Sequence, residues 1–288
     1  MSSPLHPLTT STDPIDPAFV FDFRAYDEPD SDDQRWSTWW DVEALCRGPE
    51  PLPDWVVNDR AAIDTELGIL KTGKEADVFL LERAVEGGPS VVMAAKRYRS
   101  TDHRNFHRNA AYTEGRRGRD SREARAAAKG TAFGRAVAAG QWAGAEWESL
   151  RRCWSLGLPV PYPVQIDGTE LLMEWVCVDG ETAPRLAQSR PSPAALASYF
   201  DQLREAMATM AQHGIVHGDL SAYNLLAACD RLVIIDLPQV VDLVGNPQGM
   251  DFLLRDCANV CAWFRSKGLD PRLADEQALF SDLLATAF

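Results

Sequence analysis

The sequence predicts an α+β protein of two lobes, a small β-rich lobe followed by a helical one. Three observations carry that prediction. First, two β-like runs, ADVFLLERA (76–84) and SVVMAAKRYR (90–99), are joined by the turn signal VEGGP and form a hairpin. Second, QWAGAEWESLRRCWSLG (141–157) is a strong helical pattern ending at Gly157, and LPVPYPVQIDGTELLMEWV (158–176) then reads as strand, turn, strand. Third, helices dominate the rest, with amphipathic patterns over 192–214 and 250–268. The expected division is an N-terminal extension over 1–50, a first lobe over 51–176 and a second lobe over 177–288, with a cleft between the lobes.

Residues 1–35 are rich in Pro, Ser, Thr and Asp without periodicity and read as disordered or loosely attached. In RWSTWWDVEALCRG (35–48), Trp36, Trp39, Trp40 and Leu45 fall at helical spacing, which predicts a short amphipathic helix docked on the main body. A polar, basic, Gly/Ala-rich stretch after the hairpin predicts a flexible loop over 97–135. GIVHGD, LLAAC and RLVIID read as short strands or turns, and no internal repeat is present.

Composition narrows the class. The 288 residues are 45% hydrophobic and 25% charged, enough apolar material for a real core. No run of about 18 apolar residues offers a membrane-spanning helix. The start, MSSPLHPLTTSTDPIDP, has neither the charged nor the apolar region of a secretory signal, so the expected compartment is the cytoplasm. The six cysteines include no C-x-x-C pair and are expected to be buried, reduced thiols. A net charge of −13 argues against a chain that coats nucleic acid throughout. The charge is uneven, however: Lys96 to Arg135 carries a net of +8 and the remainder −21.

Chemistry concentrates at four places. Gly68 to Glu75 fits the first seven positions of a phosphate-binding P-loop, but the eighth is Glu75 where a Mg²⁺-binding hydroxyl is required, and a strand follows instead of a helix. What remains is a glycine-containing turn between two strands, whose N–H groups could cover phosphates; taken alone it reads as a plain β-turn. Lys96 ends an apolar strand and is costly there without a charge partner. Glu146, in the helix WAGAEWESL, is the candidate partner; otherwise Lys96 merely opens the basic stretch. VHGDLSAYNLL (216–226) has the H-x-D-x-x-x-x-N spacing of protein-kinase catalytic loops, in which an aspartate (Asp219) orients the nucleophile and an asparagine (Asn224) binds a metal. LVIID supplies an anionic second ligand, Asp236, at the end of an apolar strand. The order of base, amide ligand and acidic ligand, with a lysine and a glutamate upstream, is what phosphoryl transfer demands.

With those residues in place, the chain resembles the RIO family of atypical serine/threonine protein kinases, within it the RIO1-like branch. TGKEADVF, VHGDLSAYNLL, VIIDLPQVV and FLLRDCANVCAWF carry the resemblance, in family order, over residues 72–264. It implies a two-lobed protein-kinase-like fold with a truncated helical lobe, and the use of ATP with Mg²⁺ or Mn²⁺. By the resemblance Lys96 contacts phosphates and Glu146 pairs with it. Thr72, Gly73 and Lys74 lie over the phosphates, and Met173, Glu174 and Val176 form the hinge against adenine. Asp219 is the catalytic aspartate, and Asn224 and Asp236 bind the metal. Family members are ATPases that phosphorylate the metal-loop aspartate, here Asp236, and autophosphorylate on serine. The sequence departs from typical kinases in lacking G-x-G-x-x-G, D-F-G and A-P-E, and from the RIO pattern in placing Pro238 where a small polar residue is usual. The implied partners are a protein substrate, and RNA or a ribosomal particle held through the basic loop 97–135, with no membrane. Two other readings share the loop: a small-molecule phosphotransferase of the aminoglycoside or choline kinase kind, and an ATP-switched RNA-binding module.

Overall fold

The computed structural model describes residues 29, 31–99 and 132–287, with the backbone alone over 132–137. The reading of 1–28 and the basic stretch 100–131 lie outside the described residues. Six antiparallel strands form one sheet in the order β1-β2-β3-β4-β6-β5: β1 Gln34–Trp36, β2 Ile63–Thr72, β3 Ala76–Ala84, β4 Ser90–Tyr98, β5 Pro163–Asp167 and β6 Glu170–Glu174. The expected hairpin is β3–β4, in unbroken register from Ala76 opposite Tyr98 to Ala84 opposite Ser90. Gly87, at φ 65°, supplies the left-handed residue its turn requires.

Residues facing each other across antiparallel strands share a face of the sheet. One face therefore carries Phe79, Leu81, Met93, Ala95 and Leu172, and the opposite face carries Ala76, Val78, Lys96, Tyr98 and Leu171. The first face is covered by Trp39, Leu52, Trp55, Val56 and Tyr162. The tryptophan-rich segment thus supplies core to the sheet, but not as the helix its spacing suggested. It is β1, whose Trp36 pairs with Ile63, followed by two 3-10 turns over Thr38–Trp40 and Ala44–Cys46. The apolar spacing reflects docking instead: Trp39 is buried, Trp40 lies under the Arg47 and Arg60 guanidiniums at 4.9 and 5.0 Å, and Leu45 is exposed. A three-residue strand anchored to β2 takes the segment out of helical geometry before a nucleus of turns can form. Removing a buried tryptophan such as Trp39 costs on the order of 3–5 kcal/mol.

The second face of the sheet receives helix α1 (Ala132–Ser155), which begins nine residues before the predicted start at 141 and so takes in the end of the expected loop. Ala139, Ala143, Trp147 and Leu150 pack there, continuous with the core of the helical lobe. That lobe contains α2 (Pro193–Gln212), α3 (Gly249–Ser266) and α4 (Glu276–Ala287). Ser192 caps α2, its hydroxyl accepting from the Ala195 N–H, and Pro193 stands at the first helical position, where its missing N–H costs nothing. Short strands β7 (Cys177–Val178), β8 (Glu181–Thr182), β9 (Ile215–Val216), β10 (Leu225–Ala228), β11 (Arg231–Ile234) and β12 (Val241–Asp242) pair locally within the helical lobe, before α3. The cysteine expectation holds only in part. All six are free, and Cys153, Cys257 and Cys261 are buried, whereas Cys177 and Cys229 are exposed because they sit at the edges of short hairpins.

Candidate active site

The second face of the sheet and the short strands of the helical lobe meet at Lys96. Its Nζ lies 2.8 Å from Glu146 Oε1 on α1 and 2.8 Å from Asp236 Oδ1 after β11, so one ammonium joins the sheet, the helix and the second lobe. Glu146 is 1% exposed. Its Oε1 also accepts from the Leu237 N–H at 3.3 Å, and its Oε2 accepts from the Tyr98 hydroxyl. Tyr98 reaches the same carboxylate as Lys96 because residues two apart in a strand share a face. Burial works against the charge on Lys96, but the Glu146 and Asp236 carboxylates outweigh it and hold the ammonium well above its ordinary range. Burial and the Glu146 charge push the Tyr98 hydroxyl well up, so it stays a protonated donor.

Asp236 has φ 68°, a left-handed conformation that side chains other than glycine adopt at a cost of about 1 kcal/mol or more. The turn away from β11 aims its carboxylate back at Lys96. Burial opposes the charge, yet Lys96 holds the carboxyl below the usual range. Pro238, two residues on, leaves this intact: the Leu237 N–H is the one tied to Glu146.

The catalytic-loop residues are ordered by backbone bonds. His217 is buried, with Nε2 3.2 Å from the Ile235 carbonyl and Nδ1 3.3 Å from the Asp219 N–H. These partners assign the proton to Nε2, leaving Nδ1 to accept, and burial lowers the ring's pKa in keeping with a neutral imidazole. Asn224 Nδ2 donates to the Asp219 carbonyl at 2.9 Å, which leaves the amide oxygen as its remaining polar atom. The Asp219 side chain is exposed; partial burial of its carboxyl, reinforced by Asp236, raises its pKa against the pull of His217 and Arg255 and a hydrogen bond with Asn224.

The loop rests on α3. Asp256, 1% exposed, accepts from the Gly218 N–H at 2.8 Å and the Leu220 N–H at 2.9 Å. Sequence reasoning singled out the surrounding RDCANV without a role for this aspartate; its signal is a carboxylate within the apolar stripe Phe252, Leu253, Cys257 and Val260. Burial pushes its carboxyl up to about 7 despite both N–H bonds. The folded chain therefore keeps this proton up to about pH 7, whereas the unfolded chain releases it in the ordinary carboxylate range. Asp256 thus contributes most to stability in acid, and that contribution declines as pH rises to about 7. Replacing it with asparagine is expected to flatten that part of the urea-midpoint profile and to weaken the loop, since an amide offers one acceptor for two N–H groups. An unchanged profile would contradict this.

Thr72, Gly73 and Lys74 lie in and just before the β2–β3 turn, as a strand–turn–strand unit. Gly73 N–H donates to the Ala76 carbonyl at 3.0 Å, and a Cβ on Gly73 would stand 2.6 Å from that oxygen. Glycine is required for this close backbone approach. Met173 and Glu174 end β6 opposite Ala94 and Met93, and Val176 is buried just beyond. The Glu174 carboxylate turns back to the Tyr162 N–H at 3.1 Å and to Arg231 at 3.4 Å. The structure therefore brings Lys96, Glu146 and Asp236 into direct contact, sets Asp219 and Asn224 beside one another, and places the turn and hinge residues at the ends of β2 and β6. Tyr98 and Asp256 are the site residues that sequence reasoning missed.

The donor set suits a hard cation bound with phosphate. Asp236 and the Asn224 amide supply oxygens, and among the described residues no group of three or more His, Cys, Asp or Glu could hold a metal alone. A Mg²⁺ held by one or two protein oxygens takes the rest of its shell from water and substrate phosphates.

Comparison with known proteins agrees with this geometry. The RIO domain family matches residues 82–278, a range that begins after the β2–β3 turn. The chain is 36% identical over 218 residues to the RIO-type serine/threonine-protein kinase Rio1 of Haloferax volcanii, covering 76% of this chain and 68% of that protein. It is 34% identical over 147 residues to the serine/threonine-protein kinase rio1 of Dictyostelium discoideum, covering 50% of this chain and 25% of that protein. The Rio1 kinase of Methanocaldococcus jannaschii is 33% identical over 135 residues, 46% of this chain and 45% of that protein. The match thus spans about two thirds of the Haloferax protein and less than half of the other two.

Proposed function

The chain belongs to the RIO family, and from that membership together with its cleft geometry we propose that it is an ATP- and Mg²⁺-dependent serine/threonine kinase that also hydrolyses ATP. The Lys96–Glu146–Asp236 cluster, formed by three separate elements, is the observation that carries the reading. Lys96 holds phosphate oxygens and is kept charged and aimed by Glu146. Asn224 and Asp236 hold the metal, which neutralises phosphate charge when bound. Asp219 orients the acceptor hydroxyl and takes its proton, in a loop fixed from below by Asp256. Thr72, Gly73 and Lys74 cover the phosphates, and Met173, Glu174 and Val176 border adenine.

The acceptor is a protein hydroxyl, the chain's own serines included, and Asp236 is a further acceptor. The basic stretch 97–135 is the surface for RNA or a ribosomal particle, and the compartment is the cytoplasm; no helix among the described residues is long and apolar enough to cross a membrane. Purified chain incubated with γ-labelled ATP and Mg²⁺ should release ADP and label itself without a small acceptor. Turnover that appears only with an added aminoglycoside or amino alcohol would transfer the assignment to small-molecule phosphotransferases. ATP binding without turnover or self-labelling would leave the ATP-switched RNA-binding module.

A further inference from the structure

The β2–β3 ladder contains two irregularities, one between Glu66 and Gly68 and one between Ile69 and Lys71. The second passes over Leu70 and sets Lys71 opposite Val78, and Val78 in turn stands opposite Lys96. Lys71, Val78 and Lys96 therefore lie at one level of three adjacent strands and share the cleft face, the Lys71 and Lys96 backbones two strand spacings, about 10 Å, apart. In a regular ladder Leu70 would occupy the position opposite Val78, and the bulge replaces it with a cation. Bulges beside functional sites re-aim side chains in this way.

A second cation approaches from the other lobe. Arg185 donates to the carbonyl of Tyr223, the residue before Asn224, and its backbone bridges to Leu226. The guanidinium is thereby tied to the catalytic loop. Among the described residues neither Lys71 nor Arg185 has a carboxylate within ion-pair distance, whereas Lys96 has two. Lys71 is nonetheless within electrostatic reach of Arg185, Asp236 and Lys96: burial, then Arg185, lowers its pKa against the opposing pull of Asp236.

We propose that Lys71 and Arg185, one from each lobe, form a cationic clamp on the terminal phosphate of the bound nucleoside triphosphate, distinct from Lys96 deeper in the cleft. This rests on the kinase reading above. Lys71 and Arg185 carry like charges within electrostatic reach of one another and of Asp236, so they repel in the free protein, and a group bearing two negative charges relieves both. The terminal phosphate is such a group, and the diphosphate product lacks it. The clamp therefore confers a preference for triphosphate over diphosphate and favours product release.

The test uses the full chain and its Lys71→Met, Arg185→Gln and doubly substituted variants, with Mg·ATP and Mg·ADP affinities measured by competition against a fluorescent nucleotide. Removing either cation should weaken ATP binding about tenfold, the size of one charge-assisted hydrogen bond, while ADP binding stays within about twofold of the parent. Lys71→Arg should restore most of the ATP preference. A parallel fall for ATP and ADP, or an unchanged ratio in the double variant, would overturn the clamp. If the parent chain binds and transfers phosphate while the double variant keeps its ratio, only the clamp fails; if the parent binds neither nucleotide, the kinase reading falls with it. Thermal midpoints of the variants, whose substituted side chains are exposed or half-buried, separate weakened binding from a damaged fold.

Discussion

Asp219→Ala is expected to lower phosphoryl transfer by about 10²–10⁴-fold, the usual contribution of a positioned acid–base group. Little else should change. The Asp219 side chain is exposed, and the bonds that fix the loop run mainly through its main chain, to His217 and Asn224, with one side-chain contact to Asn224 besides. ATP affinity should stay within about twofold and stability within about 0.5 kcal/mol. The same carboxyl predicts the acid limb of the pH profile. Its pKa is raised by burial and by Asp236, and only the deprotonated form accepts a proton. Activity should therefore begin to fall, as pH is lowered, above the ordinary carboxylate range. Single-turnover transfer across pH, in parent and variant, checks both statements, and undiminished transfer in the variant would remove Asp219 from the chemistry.

Glu146→Ala is expected to cost stability as well as activity. The carboxylate is the common acceptor for Lys96, the Tyr98 hydroxyl and the Leu237 N–H, all at the junction of sheet, helix and metal loop. Its removal leaves a buried ammonium with one partner in place of two and a buried hydroxyl without its acceptor. Breaking a buried pair in this way costs about 3–5 kcal/mol. Urea unfolding should show that loss, and the catalytic constant should fall with it because Lys96 is no longer aimed. Glu146→Gln should recover part of the stability through its remaining oxygen but little of the activity. A variant that unfolds at the parent's urea midpoint would show that the three bonds are not coupled.

Much of the site was legible because its residues sit at fixed spacings along the chain. The Asp219–Asn224 interval is local, set by one turn of loop, and Asp236 follows on the next hairpin. The Lys96–Glu146 pairing was legible for a different reason: a lysine at the end of an apolar strand demands a partner, and an apolar helix carried the glutamate. Tyr98 and Asp256 escaped notice because their roles depend on bonds across 48 and 38 residues, which no local pattern encodes. Lys71 escaped because a bulge reverses which neighbour faces the cleft, and alternation read from sequence assumes none. The tryptophan segment was misread for a similar reason. Its apolar spacing comes from docking on a sheet, and Trp39, buried, and Leu45, exposed, do not share one helix stripe.

Only residues 237–248 connect Asp236 to α3, and within seven residues of its start that helix delivers Asp256 to the catalytic loop. The metal loop and the platform beneath the catalytic loop are thus nearly one piece of backbone. In kinases controlled by a long intervening segment, chemical marking of that segment decides whether the parts come together. Here the parts are spliced so closely that no such lever fits between them. A site built from these residues would consequently be preformed with the fold, and its control would act on access to the cleft or on the supply of what enters it.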